Sequence, residues 1–281
     1  MPELPEVETV VRQLRSNLSG AVIAEVRVRL RKIVRTDPEA FRRGLLGRSI
    51  DQVDREGKRI LLRLTPRGCL AIHLGMTGRL MIRPAGSPLD RHTQVCWKLG
   101  GGSRELRFVD PRQFGGVWFL PGGGDPAEYG LRPLGPDALT LRWSQFQEVL
   151  RRSRQIKALL LDQQAIAGLG NIYCDEALYA AGIHPHHRAD LLREPQAVRL
   201  FHAIRGVLRA SIAAGGTTIS DYRTADGKEG SFQRKLKVYG REGEPCGRCG
   251  SVIQRILAAG RSSHLCPRCQ PRRRSARPRR R

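Results

Sequence analysis

The segment VETVVRQLRSNLSGAVIAEVRV, residues 7–28, decides the architecture, because the spacing of its apolar residues changes halfway along. Val7, Val10, Val11, Leu14 and Leu18 recur at the period of one helix face, and Ser19-Gly20 supplies a stop. From Ala21 the period is two. Backward from this switch, the helix starts near Glu3. Forward, strand-like runs follow at 21–30, 49–55, 59–64, 69–74, 79–83, 94–99, 104–109 and 115–120, separated by Gly/Pro punctuation such as Gly100-Gly101-Gly102. Eight short strands behind one helix predict a β-sandwich, and the Gly- and Pro-rich stretch 121–136 marks its end. Beyond it the pattern predicts helices over 143–152, 155–162, 171–181 and 195–214, two of them ended by Pro185 and by Gly215-Gly216. The polar stretch 220–235 reads as a mobile loop. The fold class is α+β.

Charge narrows the partner. The 281 residues carry 50 Lys+Arg against 26 Asp+Glu, a net +24. The last stretch, 271–281, holds seven arginines and no acid, so the body without it keeps 24 − 7 = +17. A body this basic points to a polyanion, with nucleic acid first. A long apolar span and a basic amphipathic helix are both absent from the sequence, which argues against a membrane partner. Cys69, Cys96 and Cys174 stand singly in apolar surroundings and read as buried thiols of a reducing compartment. The N-terminus lacks the basic and apolar regions of a secretion signal. These readings together suggest a cytoplasmic protein acting on DNA.

The other four cysteines form Cys246-x2-Cys249-x16-Cys266-x2-Cys269, two knuckles whose thiolates can close a tetrahedral zinc site with no position left for water. Arg255, Arg261 and His264 lie between the knuckles, and Arg261 on such a hairpin could reach a DNA backbone. In Gly168-Leu169-Gly170-Asn171 two glycines make a tight turn and Asn171 reads as an N-cap, either of an ordinary helix or of one whose exposed N–H groups suit a phosphate. Asp110-Pro111-Arg112-Gln113-Phe114-Gly115 reads as a plain turn with a core Phe114, or as an arginine and an exposed aromatic able to wedge a base step. His73-Leu74-Gly75-Met76-Thr77-Gly78 is a loop of the same character. Lys58, before Ile60-Leu61-Leu62, reads as a surface lysine, and His92 as a solvated loop histidine. Asp226-Gly227-Lys228 lacks the strand and spacing of a phosphate loop, which excludes a nucleotide triphosphatase.

At the start stands Met1-Pro2-Glu3-Leu4-Pro5-Glu6-Val7-Glu8. Met1 precedes a small residue and is expected to be removed, leaving Pro2 as a secondary amine. An α-amino group with a pKa of about 7.7–8.0 is partly uncharged at neutral pH and can attack a sugar C1′ to give an iminium, with the Glu3 carboxyl as an adjacent acid. Equally, Pro and Glu are what any helix N-terminus favours.

The string Met1 to Thr9, with Lys58 and the motifs at 73–78, 110–115, 168–176 and 246–269, resembles the formamidopyrimidine-DNA glycosylases over nearly the whole chain up to about Gln270. The resemblance implies an eight-stranded β-sandwich with an N-terminal helix, a helix–two-turn–helix domain and a zinc-bound β-hairpin. Its implied boundaries are a catalytic domain at 1–134, a DNA-binding domain at 135–228, a zinc finger at 229–270 and a disordered basic tail at 271–281. It implies a bifunctional glycosylase and abasic-site lyase for oxidised purines, with Pro2 as the amine and Glu3, Lys58 and Arg261 assisting. His92, Arg152, Lys157 and Asn171 would contact DNA, while Met76, Arg112 and Phe114 would fill the gap left by an extruded base. Ser220, Tyr222 and Lys228 fit a loop that folds over that base. The implied cofactor is one structural zinc, with no nucleotide, and the partner is damaged double-stranded DNA. A monomer in the bacterial cytoplasm, associated with the nucleoid, is expected. Gln113 stands where the family more often has arginine, outside the three gap-filling positions. Leu4, where the endonuclease VIII-like branch tends to have glycine, favours purine over pyrimidine lesions. A zinc-dependent DNA-binding protein without catalysis would share the charge and the hairpin, and the intact N-terminal motif speaks against it.

Overall fold

In the computed structural model, which describes residues 1–122, 126–219 and 222–272, the first helix ends where the apolar period changes. Helix α1 (Leu4–Leu18) buries Val7, Val10, Val11, Leu14 and Leu18, and Gly20 turns the chain at φ +78°. Glu3 is its N-cap: the Glu3 side chain accepts from the Glu6 backbone, and Glu6 Oε2 accepts from Glu3 N–H at 2.8 Å.

The chain divides into two compact units, Met1–Leu134 with Ala210–Arg234, and Gly135–Arg209 with Lys235–Arg281. The first holds β1 (Ile23–Val28), helix α2 (Pro38–Leu45), and strands β2 (Ser49–Glu56), β3 (Arg59–Thr65), β4 (Gly68–His73), β5 (Arg79–Pro84), β6 (Thr93–Leu99), β7 (Arg104–Val109) and β8 (Gly116–Pro121). They form two antiparallel four-stranded sheets, ordered β1-β6-β7-β5 and β2-β3-β4-β8. One core joins the inward faces, with Ile60, Leu62, Leu70 and Ile72 from one sheet and Val95, Trp97, Leu106 and Phe108 from the other, under α1. The second sheet is also covered outside: Leu61, Cys69, Ala71 and Leu120 pack against Tyr129 and Leu131. That is why residues 60–62 are apolar without alternation.

Helix α2 was not expected from periodicity. It is two turns long and buries only Phe41 and Leu45, too little for a periodic signal, although Asp37-Pro38 is a start signature and Asp37 Oδ1 accepts from Ala40 N–H at 2.7 Å. Its Gly44 faces Phe119, whose ring a Cβ would overlap. Within the expected loop, Tyr222 is tied to the first unit. Tyr222 joins the sandwich core, and its hydroxyl lies within hydrogen-bonding reach of the carbonyls of Glu6 at 3.3 Å and Gly215 at 3.2 Å. Ser220, and the tail from 273 to 281, lie outside the described residues.

The second unit holds α3 (Trp143–Leu150), α4 (Ile156–Leu161), α5 (Asn171–Ala181), most of α6 (Glu194–Ala213) and the hairpin β9 (Gln254–Ala258) with β10 (Arg261–Leu265). Trp143, Phe146 and Phe201 pack ring to ring at 5.5–6.1 Å, fixing α3 on α6. The buried Glu176 carboxylate of α5 accepts from the N–H groups of Lys237, Val238 and Tyr239, which seats the chain entering the zinc knuckles. Among the described residues no helix is long and apolar enough to cross a membrane.

Candidate active site and metal centre

Strand register gathers the first unit's candidate residues at one end of the sandwich. Arg59 pairs with His73 and His73 with Gly116, so the turn before β3, the loop after β4 and the loop before β8 emerge together. These carry Lys58, Met76, and Arg112 with Phe114. On the other sheet Val109 pairs with both Thr93 and Arg79, and Asp110 N–H donates to His92 O at 3.0 Å, which brings the partly exposed His92 to the same end. The start of α1 is tied there by Glu8, whose carboxylate accepts from Arg55 Nε at 2.8 Å, three residues before Lys58. Burial favours the protonated form of Glu8, but the hydrogen bonds from Arg55 and Arg12 outweigh it and hold the carboxyl below its usual range.

At that end Glu3 and Lys58 are sheltered, while Met76, Arg112 and Phe114 are exposed. Met1 is 48 % exposed, while Pro2, Glu3 and Lys58 are buried. Lys58 is therefore not the surface lysine its neighbours suggest: it sits in the two-residue β2–β3 turn, beside the folded edge. Phe114, by contrast, is 56 % exposed and is no core residue, and Met76 and Arg112 are exposed too. The Arg112 guanidinium lies 4.9 Å from the Phe114 ring centre.

The two loops beneath them are clamped by residues that sequence reasoning passed over. Asp110, fully buried, accepts from Thr77 Oγ1 at 2.6 Å and from Gly115 N–H at 2.8 Å, and Thr77 Oγ1 in turn accepts from Arg112 N–H at 3.1 Å. Gly75, at φ +63°, would bring a Cβ within 2.5 Å of Gly115 N. Gln113 takes the left-handed conformation at φ 57°. His73 Nδ1 accepts from Gly75 N–H at 3.1 Å, and burial, aided by the Lys58 and Arg59 charges, pushes its pKa down to about 4. Glu6 was also missed: besides Glu3 it accepts from Thr217 N–H at 2.7 Å, so one buried carboxylate orients the N-terminal turn and the 217–222 segment. The Glu3-x-x-Glu6 spacing of a capping box was the available signal.

In the second unit Lys157 and Asn171 converge on the zinc hairpin. Lys157 is fully buried, and its ammonium donates to Asp175 Oδ1 at 2.6 Å, Ser263 Oγ at 2.6 Å and Ser262 O at 3.2 Å. Asn171 Nδ2 donates to the same Ser262 carbonyl at 2.9 Å. Asn171 is thus not the N-cap: Gly170 takes that place, because the amide is drawn across to β10. The result is that the residue after Arg261 is pinned twice while Arg261 itself stays exposed. Asp175 Oδ2 completes the network by accepting from His264 N–H at 2.9 Å. Arg152, just past α3, is exposed, whereas Arg154 pairs with Asp162 at 2.6 Å.

The four knuckle thiols, Cys246, Cys249, Cys266 and Cys269, lie within 4.8 Å of one another. Three Sγ–Sγ distances are 3.4, 3.6 and 3.9 Å. A tetrahedral site with Zn–S of about 2.3 Å has edges of about 3.8 Å, so the set fits one zinc ion. Cys69, Cys96 and Cys174 are buried, as their surroundings suggested.

Comparison with known proteins agrees along the chain. Residues 1–117 match the formamidopyrimidine-DNA glycosylase N-terminal domain, 134–223 the formamidopyrimidine-DNA glycosylase H2TH domain, and 243–272 the zinc finger found in FPG and IleRS. The chain is 45 % identical over 275 residues to the formamidopyrimidine-DNA glycosylase of Desulforamulus reducens, covering 96 % of this chain and 99 % of the relative. Among solved structures it is similar to a Lactococcus lactis FPG variant in complex with Fapy-dG containing DNA, at TM-score 0.89 and 35 % identity, covering 96 % of this chain and 100 % of that one. It is likewise similar to the wild-type Lactococcus lactis protein in complex with DNA containing an oxidized pyrimidine, at TM-score 0.88, 34 % identity and the same coverage.

Proposed function

The chain belongs to the formamidopyrimidine-DNA glycosylase family, and on that premise we propose that it is a base-excision-repair DNA glycosylase and abasic-site lyase for oxidised purines, 8-oxoguanine and formamidopyrimidines, acting as a monomer. The observation that carries this reading is the single end of the sandwich to which register brings the N-terminal turn, Lys58 and the exposed Met76, Arg112 and Phe114.

The damaged nucleotide leaves the stack at a cost of a few kcal/mol, offset by phosphate contacts and by insertion of Met76, Arg112 and Phe114 into the gap. Removal of the exposed Met1 converts the Pro2 nitrogen from an amide to a secondary amine. Its lone pair attacks C1′, Glu3 protonates the opening sugar, and the base departs with the glycosidic electron pair. Loss of the C1′ oxygen bond leaves a cationic iminium, which acidifies C2′. Proton loss there expels the 3′ phosphate, and a second elimination expels the 5′ phosphate. Lys58 and Arg261 are the residues proposed to move these protons. Zinc shapes the hairpin that presents Arg261 and takes no part in the bond changes. His92, Arg152 and Asn171 are assigned to phosphates, whereas the buried Lys157 acts through Ser262 and Asp175.

Borohydride trapping of the processed protein tests this on duplexes carrying 8-oxoguanine opposite cytosine, an oxidised pyrimidine, or no lesion. The expected crosslink is strongest on 8-oxoguanine and is lost in Pro2→Gly. A stronger crosslink on the pyrimidine would reassign the substrate, and binding without any crosslink would leave a noncatalytic DNA-binding protein.

A further inference from the structure

Helix α5 has a second basic locus at its other end. Past Ala181, between the start of α6 and the second zinc knuckle, a cavity of about 470 Å³ opens onto Arg193, Arg199, Arg248, Arg268, His184 and His187, with no carboxylate in its lining. Asn171 stands at the opposite end of this 11-residue helix, about 16 Å away at about 1.5 Å per residue. The cavity is therefore separate from the phosphate contacts assigned to Asn171.

Three of the arginines are positioned without being neutralised. Arg248 stacks on the Tyr179 ring, 4.3 Å from its centre, and spends two of its N–H groups on the carbonyls of Tyr179 and Ala180 at 3.0 and 3.3 Å. A guanidinium has five N–H donors, so three remain. Arg199 spends Nε on Ala181 O at 3.4 Å, and Arg193 spends Nε on Gln196 at 3.5 Å. No carboxylate pairs with any of the four arginines among the described residues. His184 Nδ1 accepts from His186 N–H at 3.1 Å, which leaves the ring's other nitrogen to carry the proton. A concave surface gathering four guanidinium groups, three of them anchored by hydrogen bonds, offers many donors and no acceptor charge, and like charges gathered on one lining repel unless an anion lies between them.

We propose that this cavity is an anion site for a phosphate group, supplied either by a DNA backbone remote from the lesion or by a free oligophosphate. The full-length, zinc-loaded chain is tested in two ways. Calorimetric titration with pyrophosphate should show one site per chain, weakened at least tenfold in Arg193→Gln/Arg199→Gln. The salt dependence of binding to undamaged duplex separates the sources: a backbone source lowers the slope of log K against log salt in the double variant by about 0.9 per phosphate lost, and a free anion leaves it unchanged. Zinc content and melting temperature verify that the variant is folded, and Arg268→Gln replaces it if it is not. Pyrophosphate affinity and salt slope both equal to those of the parent chain would overturn the proposal.

Discussion

Asp175→Asn tests the network that positions the zinc hairpin. Lys157 and Asp175 are both fully buried, 2.6 Å apart, and all three ammonium protons are committed, to Asp175, Ser263 and Ser262. The substitution preserves shape and one acceptor but removes the only charge in that set opposing the ammonium. Leaving one partner of such a pair uncompensated costs about 3–5 kcal/mol, a large share of a typical total of about 5–15 kcal/mol. Lys157→Met strands the carboxylate with the His264 N–H, and the double variant Lys157→Met/Asp175→Asn restores neutrality. The double should therefore cost less than the sum of the singles by about 1–3 kcal/mol. Urea unfolding with zinc present, followed by near-ultraviolet circular dichroism, measures all three. Affinity for lesion duplex should fall in parallel, since Ser262 and its neighbour Arg261 lose an anchor. A loss below about 1 kcal/mol for Asp175→Asn, or strict additivity in the double, would refute the claim that a buried charge pair holds the hairpin.

Three further outcomes follow from the geometry. Gly75→Ala meets both a left-handed φ and the Gly115 backbone at 2.5 Å, whereas Gly86→Ala, at φ +77° with nothing within 4 Å, meets only the first; both should lose about 1–2 kcal/mol for the backbone, with an added loss of stability and of lesion-duplex affinity at Gly75 alone. Chelating the zinc should expose four thiols to a colorimetric reagent and leave Cys69, Cys96 and Cys174 slow until denaturant is added; a uniform release of all seven would contradict separate packing. Burial pushes His73 and His184 down to about 4, with help from Lys58 and Arg59 at the first and from His186 and Arg272 at the second. Between about pH 6.5 and 4 the unfolded chain binds protons that the folded chain refuses, so both histidines contribute stability above pH 6.5 that is lost on acidification, by about 1.4 kcal/mol per unit at the deeply buried His73 and by less at the better screened His184. His73→Asn should flatten that fall in urea midpoints between pH 7 and 5, and an unchanged profile would count against a neutral buried ring.

Much of this chain is written locally. The switch of period at Gly20, the eight strand-like runs, the helix over 171–181 and the spacing of Cys246, Cys249, Cys266 and Cys269 all follow from neighbours a few residues apart, and the structure has each of them. Helical and extended periods, glycine stops and knuckle spacings are properties of short segments, which is why they are legible. Burial is not such a property. Whether Phe114 is core or exposed, whether Lys58 is solvated, and whether Tyr222 lies over a site or under it depend on segments tens to hundreds of residues away. The same holds for the partners of Lys157 and Asn171: both donate to the carbonyl of Ser262, 105 and 91 residues downstream, a contact that no local pattern announces. The sequence by itself determined the eight strands, the longer helices, the metal ligands and the family, but not the short helix α2. The tertiary structure decided which charges face the solvent and which are spent holding others in place, because a buried cation or amide must be satisfied by whatever the fold brings within hydrogen-bonding reach.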